Sequence, residues 1–218
     1  MKRIETSLVT TLKESDLKNV PAEIAENVLD NMLENDVLKD IPVFGILQSI
    51  YKFYIGVRDT LFVRKLCKFL FTIQEVPREE RQEMLNKLES DDNYKQKVGE
   101  QLLFLLDRMD DMYKPVLLAQ AFIAYSKGLI DVIQLQRISF GIDRVFTYNL
   151  SELKRYYLME TDDNKSHDIL EPMVFQNLAN CGFVDLTTGF GGGVGIQKND
   201  LGKLFVEHIL QNEEPLQH

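Results

Sequence analysis

Little in this chain can staple, ligate or anchor. Its two cysteines, Cys67 and Cys181, match no zinc or redox spacing, which excludes a disulfide framework. Both are expected as small buried apolar side chains in a reducing compartment. Three histidines, His167, His208 and His218, supply no ligand pair. No Ser-His-Asp or Cys-His arrangement can be drawn from spacing, and His167 and His208 are expected on the surface. Long apolar runs are also missing. The longest, Ile41–Val57, is interrupted by Pro42, Gly45, Gln48 and Lys52, and Arg58-Asp59 follows at once. It is shorter than the about 20 residues a spanning helix needs, so a buried helix is expected there. The opening Met-Lys-Arg-Ile-Glu-Thr-Ser-Leu leads into no apolar segment, so no secretory signal is expected. No lipidation motif stands at either end.

Excess positive charge is absent as well. Lys and Arg number 25 against 34 Asp and Glu, for a net charge of −9 and a pI near 4.9. That excludes a protein whose whole surface grips nucleic acid by counterion release. Phosphate-binding loops fail on spacing. From Gly189 the sixth position is Val194, and from Gly191 it is Ile196, so the G-x-G-x-x-G fingerprint is not met. No G-x-x-x-x-G-K-[ST] occurs either.

What is present suits a packed helical protein. The 218 residues allow one domain plus a small appendage, and 44% hydrophobic residues with 27% charged can build a core. Apolar residues recur at helical spacing through residue 159, without sustained period-2 alternation. Pro21 opens a helix to about Asn35, with Ile24, Val28, Leu29, Met32 and Leu33 on one face. Stretches 43–57 and 59–72 follow. Pro77 restarts the chain, with Glu79, Glu80 and Glu83 near a helix N-terminus. Ser90-Asp91-Asp92 offers a cap for a helix to about Met112. Pro115 opens a strongly apolar helix that Gly128 caps. Asp131 with Gln134, and Asn149 with Glu152, have capping-box spacing.

The character changes at 160–168, Glu-Thr-Asp-Asp-Asn-Lys-Ser-His-Asp. Residues 1–159 hold 22 basic and 24 acidic side chains, and residues 160–218 hold 3 and 10. Seven of the 12 glycines fall between Gly182 and Gly202. The expected organisation is a helical bundle over 1–159, a polar linker over 160–168 and a tail over 169–218. The tail reads as helix 169–180, strand 183–187, a glycine-rich turn, strand 194–198 and a helix from Asp200. The fold class is therefore mainly α, a multi-helix bundle followed by a small α+β tail with one β-hairpin.

Four constellations could carry function. Glu100, Asp107, Asp110 and Asp111 place carboxylates near one helix face, a set that hard cations favour. A di-iron bundle would also need Glu-x-x-His pairs, which are missing, and a solvated face is the plainer reading. Lys127–Asp131 resembles a calcium loop only superficially, because Ala124, Tyr125 and Ser126 supply almost no ligands. Arg58, Arg64, Lys65 and Lys68 are opposed only by Asp59. At about 100° per residue Arg58, Lys65 and Lys68 share a sector with Arg64 at its edge, beside Leu61, Phe62, Leu66, Phe69 and Leu70. Such a face can meet an anionic membrane or a partner, or simply be the polar side of a bundle helix. The hairpin tip, Phe190, Gly191, Gly192 and Gly193, is a candidate contact wing, since glycine permits positive φ there.

Two resemblances add to this reading. LANCGFVDL, GFGGGVGIQ and NDLGKLFVEHIL resemble the end of a winged-helix domain over about 50 residues. The tail has only Lys198 and Lys203 as bases from residue 168 on, against seven acids. DNA-reading helices need Arg or Lys for phosphates and bases, so the resemblance implies a protein-contact module instead. LKDIPVFG, IGVRDTLFVRKLCKFL, PREERQEML and DDMYKPVLLAQAFIAYSKGLID resemble a family of small all-helical bacterial proteins from mobile-element and phage-defence neighbourhoods. That match spans about residues 36–150 and brings no catalytic residues with it. The turn at Gly128–Asp131 is similar to tellurite-resistance helical domains, without their acidic metal-ligand pattern.

The expectation is a cytoplasmic, non-catalytic interaction or sensor protein with a protein partner, no cofactor and no bound metal, with phage defence as the implied setting. Oligomeric state is left open by the sequence. One alternative is a peripheral membrane effector using residues 42–70. Another is a metal-dependent enzyme using Glu100, Asp107 and Asp111.

Overall fold

The computed structural model describes residues 2–15, 41–51, 56–91, 97–159, 171–188 and 194–210. These are mainly helical, with one two-stranded antiparallel hairpin in the C-terminal part, as the periodicity predicts. Contacts divide the chain into two units, residues 1–126 and 127–218. The expected helix 21–35 and the polar linker 160–168 lie outside the described residues.

The N-terminal unit contains α1 (Lys2–Glu14), α2 (Pro42–Tyr51), α3 (Val57–Ile73), α4 (Arg78–Ser90), α5 (Val98–Arg108) and α6 (Lys114–Ser126). Helix α6 is apolar on every side and is buried from Lys114 to Tyr125 except at Val116, which makes it the central helix. It packs on α3, where Phe69 meets Phe122 edge to face at 5.9 Å. Helix α1 packs against α2, α4 and α5. The start of the longest apolar run is internal: Ile41, Val43, Phe44 and Leu47 are all buried. The Val43 N–H donates to Thr11 Oγ1 at 3.1 Å, which joins α2 to α1. Among the described residues no helix is long and apolar enough to cross a membrane.

One expected boundary shifts. Helix α5 ends at Arg108, because Met109 turns extended (φ −56°, ψ 131°), so Asp110 and Asp111 lie beyond the helix. Asp59 lies in the first turn of α3. It accepts the Gly56 N–H at 3.0 Å and closes the first turn of α3. A buried cation organises the other end of the unit. The Arg81 guanidinium donates to the carbonyls of Leu12 (2.9 Å), Ser15 (2.8 Å) and Val76 (3.1 Å), at or just past the C-terminal ends of α1 and α3. Those carbonyls lack intrahelical partners and carry the negative pole of their helices.

The C-terminal unit contains α7 (Val132–Arg144), a 3₁₀ turn (Thr147–Asn149), α8 (Leu150–Leu158), α9 (Pro172–Asn180), β1 (Val184–Thr188), β2 (Val194–Lys198) and α10 (Asp200–His208). The capping box of α7 forms reciprocally: Gln134 N–H donates to Asp131 Oδ1 and Asp131 N–H to Gln134 Oε1, both at 2.8 Å. The second expected box does not form. The 3₁₀ turn leaves Asn149 helical (φ −80°, ψ −7°), where its side chain cannot cap. It donates instead to Asn177 Oδ1 at 3.0 Å, and Glu152 pairs with Arg155. Helix α9 ends in a Schellman turn. Gly182 sits at φ +80°, its N–H donates to Ala179 O at 2.9 Å, and the Phe183 N–H donates to Leu178 O at 3.0 Å. The hairpin register runs from Val184 opposite Lys198 to Thr188 opposite Val194.

The core of this unit draws on helices from both sides of the polar stretch. Phe183 stacks on Phe205 at 4.1 Å, and α10 packs against both α7 and α8. Tyr156 of α8 is buried, and its hydroxyl donates to Ile196 O on β2 at 3.2 Å. Three helices, α7, α8 and α9, precede the hairpin, and two of them come before the polar stretch.

Candidate interaction surface

The four cations of the basic helix do not share one face. Lys65 points inward and is only 8% exposed. Its ammonium donates to the Asp107 carbonyl at 3.2 Å and to the Met109 carbonyl, so it caps the C-terminal end of α5. Burial lowers its pKa, against the opposing pull of Asp107 and Asp110. Arg58 is largely exposed and bonds Asp107 Oδ2 at 2.7 Å. Arg64 and Lys68 are half-buried. Lys65 is thereby withdrawn from any surface a membrane or partner could meet.

The carboxylates do not converge. Glu100 is exposed, Asp107 bonds Arg58, and Asp111 Oδ1 accepts the Tyr113 N–H at 2.7 Å. Asp110 bonds the buried Lys114 ammonium at 2.6 Å. Partial burial raises the Asp110 pKa, but the Lys114 hydrogen bond and charge outweigh that and leave it lowered. Among the described residues no group of three or more His, Cys, Asp or Glu is placed to hold a metal ion. His208 is half-buried in the last turn of α10, while His167 and His218 lie outside the described residues. Cys67 and Cys181 are both buried. The wing residues Phe190, Gly191, Gly192 and Gly193 also lie outside the described residues.

The C-terminal unit presents two exposed helical stripes. On α9, Met173, Gln176 and Asn180 share one face at i, i+3 and i+7, and Met173 is 84% exposed. Only Leu178 of this nine-residue helix is buried, and it carries no charged side chain. Asn177 joins its base to the preceding turn by accepting the Phe146 N–H at 3.1 Å and the Asn149 amide at 3.0 Å. Phe146 and Tyr148 stand exposed on that turn, rings 5.1 Å apart. On α7 the exposed stripe is Ile133, Arg137, Phe140 and Arg144, with the Arg144 guanidinium 4.2 Å above the Phe140 ring.

Between α7, the α9–β1 corner and the start of α10 lies an open groove of about 630 Å³. Arg137 and Phe140 form its α7 side, Asn180 belongs to α9, and Asp185, Asp200 and Leu201 complete it. Asp185 accepts the Asn199 amide at 2.9 Å. Sequence reading passed over α7 as a surface. Its stripe was present as an apolar and arginine alternation at spacings of four, three and four. The Asp131 cap drew attention to the start of that helix, and only folding shows what its outer face adjoins.

No protein-family model, curated protein or solved structure matches the chain.

Proposed function

We propose that this protein acts by binding another polypeptide through its C-terminal unit, without catalysing a reaction. The observation that carries this is α9, the third helix in winged-helix order. It offers an exposed, uncharged stripe headed by Met173 where a DNA-reading helix would offer arginine or lysine. Uncharged surface with methionine and aromatic side chains is the composition of protein contact patches. Phe146 and Tyr148 enlarge the apolar surface beside it. The surplus of acids in the tail disfavours phosphate backbones for the same reason.

The membrane-directed alternative has less support, since Lys65, Ile41, Val43, Phe44 and Leu47 are internal. The metal-enzyme alternative has no converging ligands to draw on among the described residues. A setting in bacterial phage defence belongs to the same proposal and rests on the resemblance alone.

The test is site-specific photo-crosslinking in the native host, with the crosslinker at position 173 and a control at the exposed Glu79. A discrete crosslinked protein is expected at 173 and not at 79. That protein, purified, is expected to bind the wild-type chain and to lose binding on Met173→Glu. Equal patterns at both positions would remove the proposal.

A further inference from the structure

We propose that the groove beside α7 receives an extended segment of the partner, carrying one basic side chain for Asp185 and Asp200 and one acidic group for Arg137. This rests on the reading of the C-terminal unit as a binding module and specifies what it binds.

The charges lining the groove are the first argument. Arg137 and Asp200 are both exposed, and neither forms a hydrogen bond or an ion pair among the described residues. They line one cavity without pairing with each other. A guanidinium and a carboxylate held apart in this way match a ligand that brings the opposite pair. Asp185 adds a second carboxylate on the acidic side, with one oxygen bound to Asn199. A nucleic-acid strand would satisfy Arg137 and be repelled by both acids. A purely cationic ligand would satisfy the acids and oppose Arg137.

Shape is the second argument. A volume of about 630 Å³ suits a few residues of chain or a small ligand. The groove opens at Asn180 onto the stripe that runs through Gln176 to Met173. That stripe adds about 10 Å of helix, which an extended chain covers in about three residues. A small zwitterion would fill the groove and leave the stripe bare. A segment of about six residues covers both, with Phe140 and Leu201 taking its apolar side chains.

The experiment is selection of a random 12-residue displayed peptide library on the full-length protein. The winning peptides are then measured on wild type, Arg137→Gln, Asp200→Asn and Met173→Glu. Arg137 and Asp200 are exposed and make no hydrogen bond or ion pair among the described residues, so these variants are expected to keep the wild-type circular dichroism and melting temperature. The expected winners carry a basic and an acidic residue flanking an apolar one. Each charge variant is expected to weaken them about tenfold, the scale of one charged hydrogen bond. Winners without that charge pair, or with unchanged affinity on both charge variants, overturn the groove. No enrichment overturns it too. In either case, a partner crosslinked at position 173 that still binds both charge variants leaves the proposed function standing. Absence of that crosslink removes both.

Discussion

Tyr157 and Asn199 bond to each other where the hairpin returns to the helices of the C-terminal unit. The Asn199 N–H donates to Tyr157 Oη at 3.0 Å, and the same hydroxyl donates its proton to Phe183 O at 2.8 Å. Asn199 in turn caps α10 by accepting the Gly202 N–H at 2.8 Å, and donates to Gly182 O at 3.1 Å. One hydroxyl and one amide thus tie α8, the strand ends and the start of α10. Gly202 allows it, because a Cβ there would lie 2.0 Å from Phe183 O and 2.2 Å from Tyr157 Oη.

Tyr157→Phe is expected to destabilise the C-terminal unit by about 1–3 kcal/mol, because it strands the Asn199 N–H and the Phe183 carbonyl. Urea denaturation followed by circular dichroism measures this. Burial pushes the phenol up to about 12, so the hydroxyl stays protonated and able to donate at ordinary pH. A cost below about 0.3 kcal/mol would mean that water replaces the hydroxyl.

Lys65 and Arg58 both engage the end of α5, and their replacements are expected to differ in cost. Lys65→Met leaves the Asp107 and Met109 carbonyls without their donor and is expected to cost about 1–3 kcal/mol. Arg58→Gln removes an exposed, solvent-screened bridge and is expected to cost clearly less. Comparing the two denaturation midpoints checks the assignment. Equal costs would mean that the burial of Lys65 has no energetic consequence.

Cys67 predicts an alkaline limit to stability. Burial pushes its thiol from 9.0 up to about 12. The folded state therefore keeps the proton in a range where the unfolded chain releases it. The stability in question is fully present below pH 9 and is lost between pH 9 and about 12. The slope is at most about 1.4 kcal/mol per pH unit. Cys67→Ala is expected to be less stable at neutral pH, through its cavity, and to have a flatter profile above pH 9. Iodoacetamide at pH 8 is expected to leave Cys67 unlabelled in the native protein. Rapid labelling, or parallel pH profiles, would contradict the burial.

Local signals were legible where one short segment determines its own structure. The Asp131–Gln134 box, the Gly128 and Gly182 caps, both strands and the apolar α6 follow from spacing, capping chemistry and positive φ. The same spacing at Asn149 and Glu152 did not make a cap, because Asn177, 28 residues away, competes for the Asn149 side chain. The basic sector of α3 was legible as a composition. Whether Lys65 faced water or the end of α5 depended on a carbonyl 42 residues further on.

The sequence by itself determined a helical chain with a hairpin, an apolar run too short to span a membrane, and an acidic tail poor in DNA-reading cations. Those properties are set by periodicity, glycine placement and charge, which act over a few residues at a time. Only the tertiary structure decided that α7 and α8 belong with the tail, that Lys65 is internal, and that Arg137 and Asp200 line one groove. Each of these joins residues tens of positions apart. Burial of Phe183 and Phe205, and satisfaction of carbonyls at helix ends, select those partners from the whole folded chain rather than from the neighbouring sequence.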